Sequence, residues 1–446
     1  MIDRKVIGRK FFMAIISPSL DLRPVFACFI APILALLPDC RHRRECSELD
    51  DATWITLGLQ RVLSTSASGR AFLQSHPDQP LDPATSTPLP PRNGHYFEAL
   101  KSPRRLALCT ELNARLLRSD SARALPDRLA AFPCLNDFEI FATDGHWHDA
   151  ATHDTQRLSS GAKAPTGHLY TRNLRSGLIA QLQCLDQSPK KHEHEIKALK
   201  RTSIDELRQG APVGRKVLHV YDRACIDFGQ WYKWKQGSGI YVLSRTKENM
   251  TLETCGELPF DQADPVNAGV LADQLVHGSY GAVMRRIRYH DPIMGNDYEF
   301  LTSLLDRAIP PGVLAYLYFL RWSIEKVFDE LKNKLGETKA WATSGTAKTM
   351  QAQFICLVFN LLQIMESKLR EEGVSNTAEE KRQDERAARI KAGVEEKGLV
   401  YPVTHEMGHS TTQHSVKFIR WLNTHLHRST PWLAACALLS TLYAKL

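Results

Sequence analysis

Apolar residues recur at helical spacing early in the chain. Trp54, Leu57, Leu59, Val62 and Leu63 predict a helix over about 51–75, and 96–117 predicts a second, carrying Lys101, Arg104 and Arg105. Six prolines between 77 and 91 mark the 76–94 stretch as a linker or exposed loop. Then the period changes. Phe138, Ile140 and Ala142 alternate up to Asp144, a strand that reads as ending in Asp-Gly. One or two further strands fall in 168–184, a helix in 195–209 ahead of Gly210, and short strands in 217–221 and 240–243. Residues 245–300 read as irregular and β-rich, with Arg286 and Arg288 on one strand face and a Gly295-Asn296 turn. Helices are expected over 312–335, 346–369 and 379–397, then an apolar tail from Trp432. Strands, helix, strand, strand in this order predict a mixed α/β sheet.

Within 25–38 the chain is wholly apolar, with Arg4, Lys5, Arg9 and Lys10 upstream. A membrane helix needs about 20 apolar residues, and this run is shorter and holds Pro32. No small-x-small cleavage site follows it, so it reads as a buried helix, or as an N-terminus translated from too early a start, rather than a signal peptide. No longer apolar run exists, and no spanning segment is expected.

Composition narrows the class. At 446 residues, two or three domains or sub-domains are expected; 43% hydrophobic and 24% charged residues exclude global disorder. Lys and Arg number 57 against 49 for Asp and Glu, a formal charge of +8, which permits a polyanionic partner without demonstrating one. The ten cysteines form no Cys-x-x-Cys pair, which argues against a zinc ribbon and for reduced core thiols in a cytosolic protein.

The segment 318–332 carries the most chemistry. At about 100° per residue, Tyr318, Arg321, Glu325 and Lys332 fall in one stripe some ~20 Å long, while Leu320, Ile324, Val327, Phe328, Leu331 and Leu335 fall on a neighbouring face. An anionic polymer fits such a line, with the carboxylate holding a metal at the scissile point. Arg321 and Glu325 are equally spaced for a plain surface ion pair. Asp144 and Asp222 each end an expected strand, where α/β folds place chemistry. With Glu325 they make an acidic set able to hold two divalent ions about 3.5–4 Å apart.

These residues resemble the DDE transposases of the insertion sequence 4 family. Tyr318, Arg321, Glu325 and Lys332 fit the spacing of its Tyr-Arg-Glu-Lys signature, and Asp144 and Asp222-Arg223 match its two aspartates. The resemblance spans roughly residues 96–370 and implies an RNase H-like α/β fold: a mixed sheet flanked by helices. Its expected divisions are an N-terminal helical region and linker (1–95) with a role in DNA-end recognition, a core in two parts (96–244 and 301–375), a β-rich insertion (245–300) and a helical C-terminal region (376–446) serving dimerisation. It further implies that Asp144, Asp222 and Glu325 hold two Mg²⁺, with Mn²⁺ as a substitute. Water would cut one strand at the element end, and the freed 3′-hydroxyl would attack a second phosphodiester. Tyr318, Arg321, Lys332, Arg223, Arg286 and Arg288 would contact DNA, alongside Arg285. Trp231, Trp234 and Trp322 are candidates for stacking on a flipped base. The expected partners are the inverted-repeat ends of its own element, target DNA, and a second copy in a synaptic dimer, in the nucleoid-associated cytoplasm of a prokaryote.

The chain departs from the family in places. Ala224 and Cys225 stand where a Gly and an aromatic are usual, and Asp149 and Asp154 lie close enough to Asp144 to be confused with it. A DNA-binding copy without catalysis is therefore an alternative. A second motif, His405-Glu406-Met407-Gly408-His409, matches the H-E-x-x-H pattern of zinc proteases, but Pro402, Gly408 and 410–412 disfavour the helix it needs.

Overall fold

The computed structural model describes residues 24–38, 49–64, 68–75, 93–185, 187–188, 191–248, 250–278, 281–335, 339–407, 413–426 and 428–444. The chain opens with helices α1 (Pro24–Leu34), α2 (Asp51–Leu63), α3 (Gly69–Ser75), α4 (Asn93–Ala99) and α5 (Pro103–Leu117). Strands β1 (Phe138–His148), β2 (Thr166–Asn173) and β3 (Ile179–Leu185) follow, then α6 (Glu195–Arg201) and α7 (Ile204–Arg208). Next come β4 (Lys216–Tyr221), α8 (Phe228–Ser238), β5 (Ile240–Arg245), β6 (Glu253–Glu257), β7 (Val270–His277), β8 (Val283–His290) and β9 (Asp297–Thr302). Helices α9 (Pro311–Asn333), α10 (Gly345–Glu371), α11 (Thr377–Glu395), α12 (Val416–His425) and α13 (Trp432–Ala444) follow, with a short helix over Val403–Met407 that carries His405 and Glu406 where the sequence disfavoured one.

The nine strands form one mixed sheet in the order β3-β2-β1-β4-β5-β9-β8-β7-β6. β1, β2 and β3 are antiparallel neighbours, while β4 and β5 run parallel to β1. This is the RNase H-like α/β arrangement. The strands of 245–300 do not stand apart from it: β9 pairs antiparallel with β5 through Phe300–Arg245 and Thr302–Leu243, so they extend the same sheet.

Alternation decides which side chain meets which layer. Ile140 and Ala142 of β1, with Leu218 and Val220 of β4, join the large core that holds Ile324, Val327 and Leu331 of α9 and Phe354, Leu357 and Leu361 of α10. Phe141, Val217 and Tyr221 face the other way, onto Leu199, Leu207, Trp231 and Trp234. A period of two along a strand thus sorts Asp144 and Asp222 onto the α9 side.

Several expected elements change at their ends. β1 does not stop at Asp144-Gly145, because pairing with β2 holds it extended to His148, opposite Thr166. The helix expected over 195–209 is two helices. Ser203 starts the second with a capping box closed by Glu206, and Gln209 ends it at φ 50°. The 96–117 helix is likewise broken at Ser102, which caps α5 ahead of Pro103. The apolar N-terminal run forms α1 and buries Val25, Phe26, Phe29, Ile30 and Ile33 in the large core, as a buried helix should. Among the described residues, no helix is long and apolar enough to cross a membrane. Of the Pro-rich 76–94 stretch, only 93 and 94 lie within the described residues.

Candidate active site

Two backbone features bring the acids together. The parallel β1–β4 register runs to Thr143 beside Tyr221. The residues that follow are Asp144, still on β1, and Asp222, the first residue past β4. Neighbouring strands of a sheet lie about 4.8 Å apart. Asp222 also caps the short turn Arg223–Cys225, its Oδ1 accepting from the Arg223 amide at 2.6 Å. Above them runs α9, whose start is anchored tightly. The Gly312 amide donates to Asn267 Oδ1 at 3.1 Å, and any Cβ at Gly312 would lie 1.9 Å from the Val266 carbonyl oxygen.

Arg321 lies between the acids. Its Nη1 donates to Asp144 Oδ2 at 3.1 Å and its Nη2 to Glu325 Oε1 at 2.7 Å. Its side chain is 6% exposed, that of Asp144 17% and that of Glu325 52%. Burial works against the Arg321 charge, but Asp144, Tyr318 and Glu325 outweigh it and hold the guanidinium more firmly protonated than usual. Tyr318 is buried beneath, its ring 4.8 Å from that of Phe300, with the Arg321 guanidinium 5.8 Å from its centre. The four-residue stripe is thus two buried residues, a half-open acid and, two turns on, the exposed Lys332.

A fourth carboxylate was missed in the sequence. Glu195, the first residue of the helix expected over 195–209, reaches β1 beside Asp144 from the opposite sheet face. A Cβ at Gly145 would lie 2.4 Å from its Oε1, and its Oε2 accepts from the Cys225 thiol at 3.6 Å. Nothing in linear spacing signals this contact. It exists because Gly145 has no side chain.

The electrostatics follow from crowding. Burial, then the charge of Glu195, push the Asp144 carboxyl up to about 7, against the opposing pull of Arg321 and the Gly145 amide. Burial also raises Glu195, offset by the Cys225 thiol and reinforced by Asp222. Four carboxylates share this neighbourhood with the guanidinium of Arg321. Such a set of oxygen donors, short of positive charge, suits a hard divalent cation. Among the described residues no three His, Cys, Asp or Glu side chains already stand close enough to hold an ion. Arg321 occupies the space between two of them, and the half-exposed Glu325 has room to turn.

The other candidates separate clearly. Asp149 is exposed at the end of β1, and Asp154 is buried in an ion pair with Lys348 at 2.9 Å, so neither joins Arg321 and Glu325. Arg223 is exposed beside Asp222, and Arg288 is exposed with Glu299 3.6 Å away. Arg286 is half-buried, bonded to Gln274 and Thr254. Arg285 points inward to Asp273 and is 1% exposed, so it is a core residue rather than part of a DNA-facing row. Trp231 and Trp234 are buried in the second core, whereas Trp322 is 41% exposed. Of the H-E-x-x-H motif, His405 lies against the rings of Tyr316, Phe319 and Tyr401, and Glu406 is paired with Lys391 at 2.6 Å. His409 lies outside the described residues.

Residues 147–361 match a family model described as a transposase DDE domain. Asp222 and Glu325 fall inside the match and Asp144 just ahead of it. No curated protein matches the chain. Fold and match agree: residues 147–361 are similar to a transposase DDE domain.

Proposed function

We propose that this protein is a transposase of the insertion sequence 4 kind, cutting and rejoining DNA at the ends of its own element. The observation that carries this reading is the hold of Arg321 of α9 on both Asp144 and Glu325, with Asp222 just past the end of β4, the parallel neighbour of β1. Asp144, Asp222 and Glu325 would hold two Mg²⁺ ions, or Mn²⁺ in their place. Bound there, the ions would activate the attacking water or 3′-hydroxyl and stabilise the leaving oxygen, so no covalent protein–DNA link is needed.

The chain's own residues do the rest. Arg321 neutralises Asp144 and Glu325 in the metal-free protein; released from them, its planar fork is positioned to grip a phosphate with two hydrogen bonds. Lys332 lies about 10 Å further along α9 than Glu325 and adds a point charge for the strand beyond the cut. Arg223 lies open beside Asp222, and Arg286 and Arg288 share a face of β8 on the DNA path. The exposed ring of Trp322 offers a stacking surface for an unpaired base. Two ends must be held together, so the working unit is a homodimer on paired ends in a prokaryotic nucleoid.

A second reading has its own observation. Arg321 bridges the two acids, and Cys225 and Ala224 stand where the family has other residues, as in a copy that binds DNA without cutting it. Incubating the purified protein with a duplex carrying the element ends separates the two. Nicking at the ends with Mg²⁺, lost on adding EDTA, is the expected outcome. Binding without nicking in both Mg²⁺ and Mn²⁺ would leave the non-catalytic reading standing.

A further inference from the structure

We propose that Glu195 is a fourth acidic group of this centre, a positioning residue that reaches Asp144 through the gap at Gly145 and tightens the grip of the three carboxylates on a divalent cation. The inference rests on the three-carboxylate reading above.

Glu195 opens α6, which packs on β3 and on the Arg223–Cys225 turn. A helix-opening acid is ordinarily turned to solvent, where it complements the helix dipole. Here the side chain is half-buried and turned toward the sheet. One oxygen fills the space a side chain at 145 would need, and the other takes the thiol hydrogen of buried Cys225. Asp144 and Asp222 both lie near enough to interact with it electrostatically; Arg321 opposes them, though among the described residues no cation lies at ion-pair distance from it. An acid held among acids with no ion-pair partner of its own weakens the metal-free state, and the loss is recovered when a cation arrives. Arg321 bonds Asp144 from the α9 side, and Glu195 adds its field from the other face of the sheet. This accounts for glycine at 145, where even alanine would collide with the carboxylate.

The test is Mn²⁺ binding to the full chain without DNA, read by calorimetry and by loss of the free Mn²⁺ resonance. Glu195→Gln should weaken binding about tenfold, since a like charge at this range shifts ionic equilibria by a unit or more. Glu195→Asp should fall between it and the parent. Thermal unfolding in metal-free buffer should be unchanged or improved for Glu195→Gln, which a merely structural acid would not allow. Equal Mn²⁺ affinity in parent and Glu195→Gln, with Asp144→Asn weakened, would overturn the role of Glu195 and spare the three-carboxylate centre. A parent that binds no Mn²⁺, or binds it no better than Asp144→Asn, would overturn both. If Glu195→Gln fails to fold, Gly145→Ala carries the test by pushing the carboxylate away: weakened Mn²⁺ binding supports the role, and unchanged binding removes it.

Discussion

Asp144→Asn, Asp222→Asn and Glu325→Gln should each lower end cleavage by about 10³-fold or more while DNA binding persists. A metal centre contributes several kcal/mol of transition-state stabilisation, and each 1.36 kcal/mol is about tenfold in rate. Loss of about 4 kcal/mol therefore leaves roughly a thousandth of the activity. Because the three acids would act as a unit, any double variant should be little worse than a single one. Binding should hold or tighten, since each change removes negative charge facing a polyanion. Unfolding does not explain the loss for Asp144→Asn. The folded carboxyl titrates near 7 and the unfolded one near 3.8, so in metal-free buffer the folded state binds the extra proton between these values. Stability contributed by this group is present below about 3.8 and lost as pH rises through about 7. At pH 8 the neutral Asn should leave thermal stability equal to or above that of the parent. Asp149→Asn should keep full activity. Cleavage unaffected by Asp144→Asn, or abolished by Asp149→Asn, would move the first acid elsewhere.

The parts of this site legible in the sequence are those governed by local periodicity. Alternation through Phe138, Ile140 and Ala142 already turns Asp144 toward the layer that α9 supplies, and the 100° step already stacks Tyr318, Arg321 and Glu325. The fold class follows from the same alternation of element types. What periodicity does not contain is depth. It shows that Tyr318 and Arg321 share a face, but not that the strand ends of β1 and β4 and the ring of Phe300 cover it. Nor does it contain vacancies: Glu195 reaches the acids through a missing side chain 50 positions away, a relation created only when β1 and α6 meet. Element ends failed for a related reason. Asp-Gly is a strong turn signal in isolation, yet pairing of β1 with β2 kept it extended to His148. The helical pattern of 195–209 hid a break that Ser203 and Glu206 make by capping one another's backbone amides.

Arg285→Ala should destabilise the protein by about 3–5 kcal/mol, the loss expected when one partner of a buried ion pair is removed. The neighbouring changes Arg286→Ala and Arg288→Ala should instead cost about 0.5 kcal/mol or less and weaken DNA binding, each lowering the salt slope by about one. Three arginines within four positions differ this sharply because strand parity sends them to opposite faces. Arg285 meets Asp273 with its Nη2 2.6 Å from Oδ2 and its Nε 2.9 Å from Oδ1, both side chains almost fully enclosed. Its Nη1 also donates to the carbonyls of Asp306 at 2.8 Å and Ile309 at 3.0 Å, just ahead of α9. The guanidinium thus ties the segment that launches α9 to strand β8, and its loss should loosen the helix that carries Arg321 and Glu325. Cleavage should fall with it, whereas Arg286→Ala at saturating DNA should cut normally. Replacing both partners, Arg285→Met with Asp273→Leu, should recover much of the stability, because no unpaired charge then remains buried. Urea unfolding of the four variants measures this directly. An Arg285→Ala protein as stable as the parent but poor at binding DNA would return Arg285 to the DNA path and void the distinction drawn here.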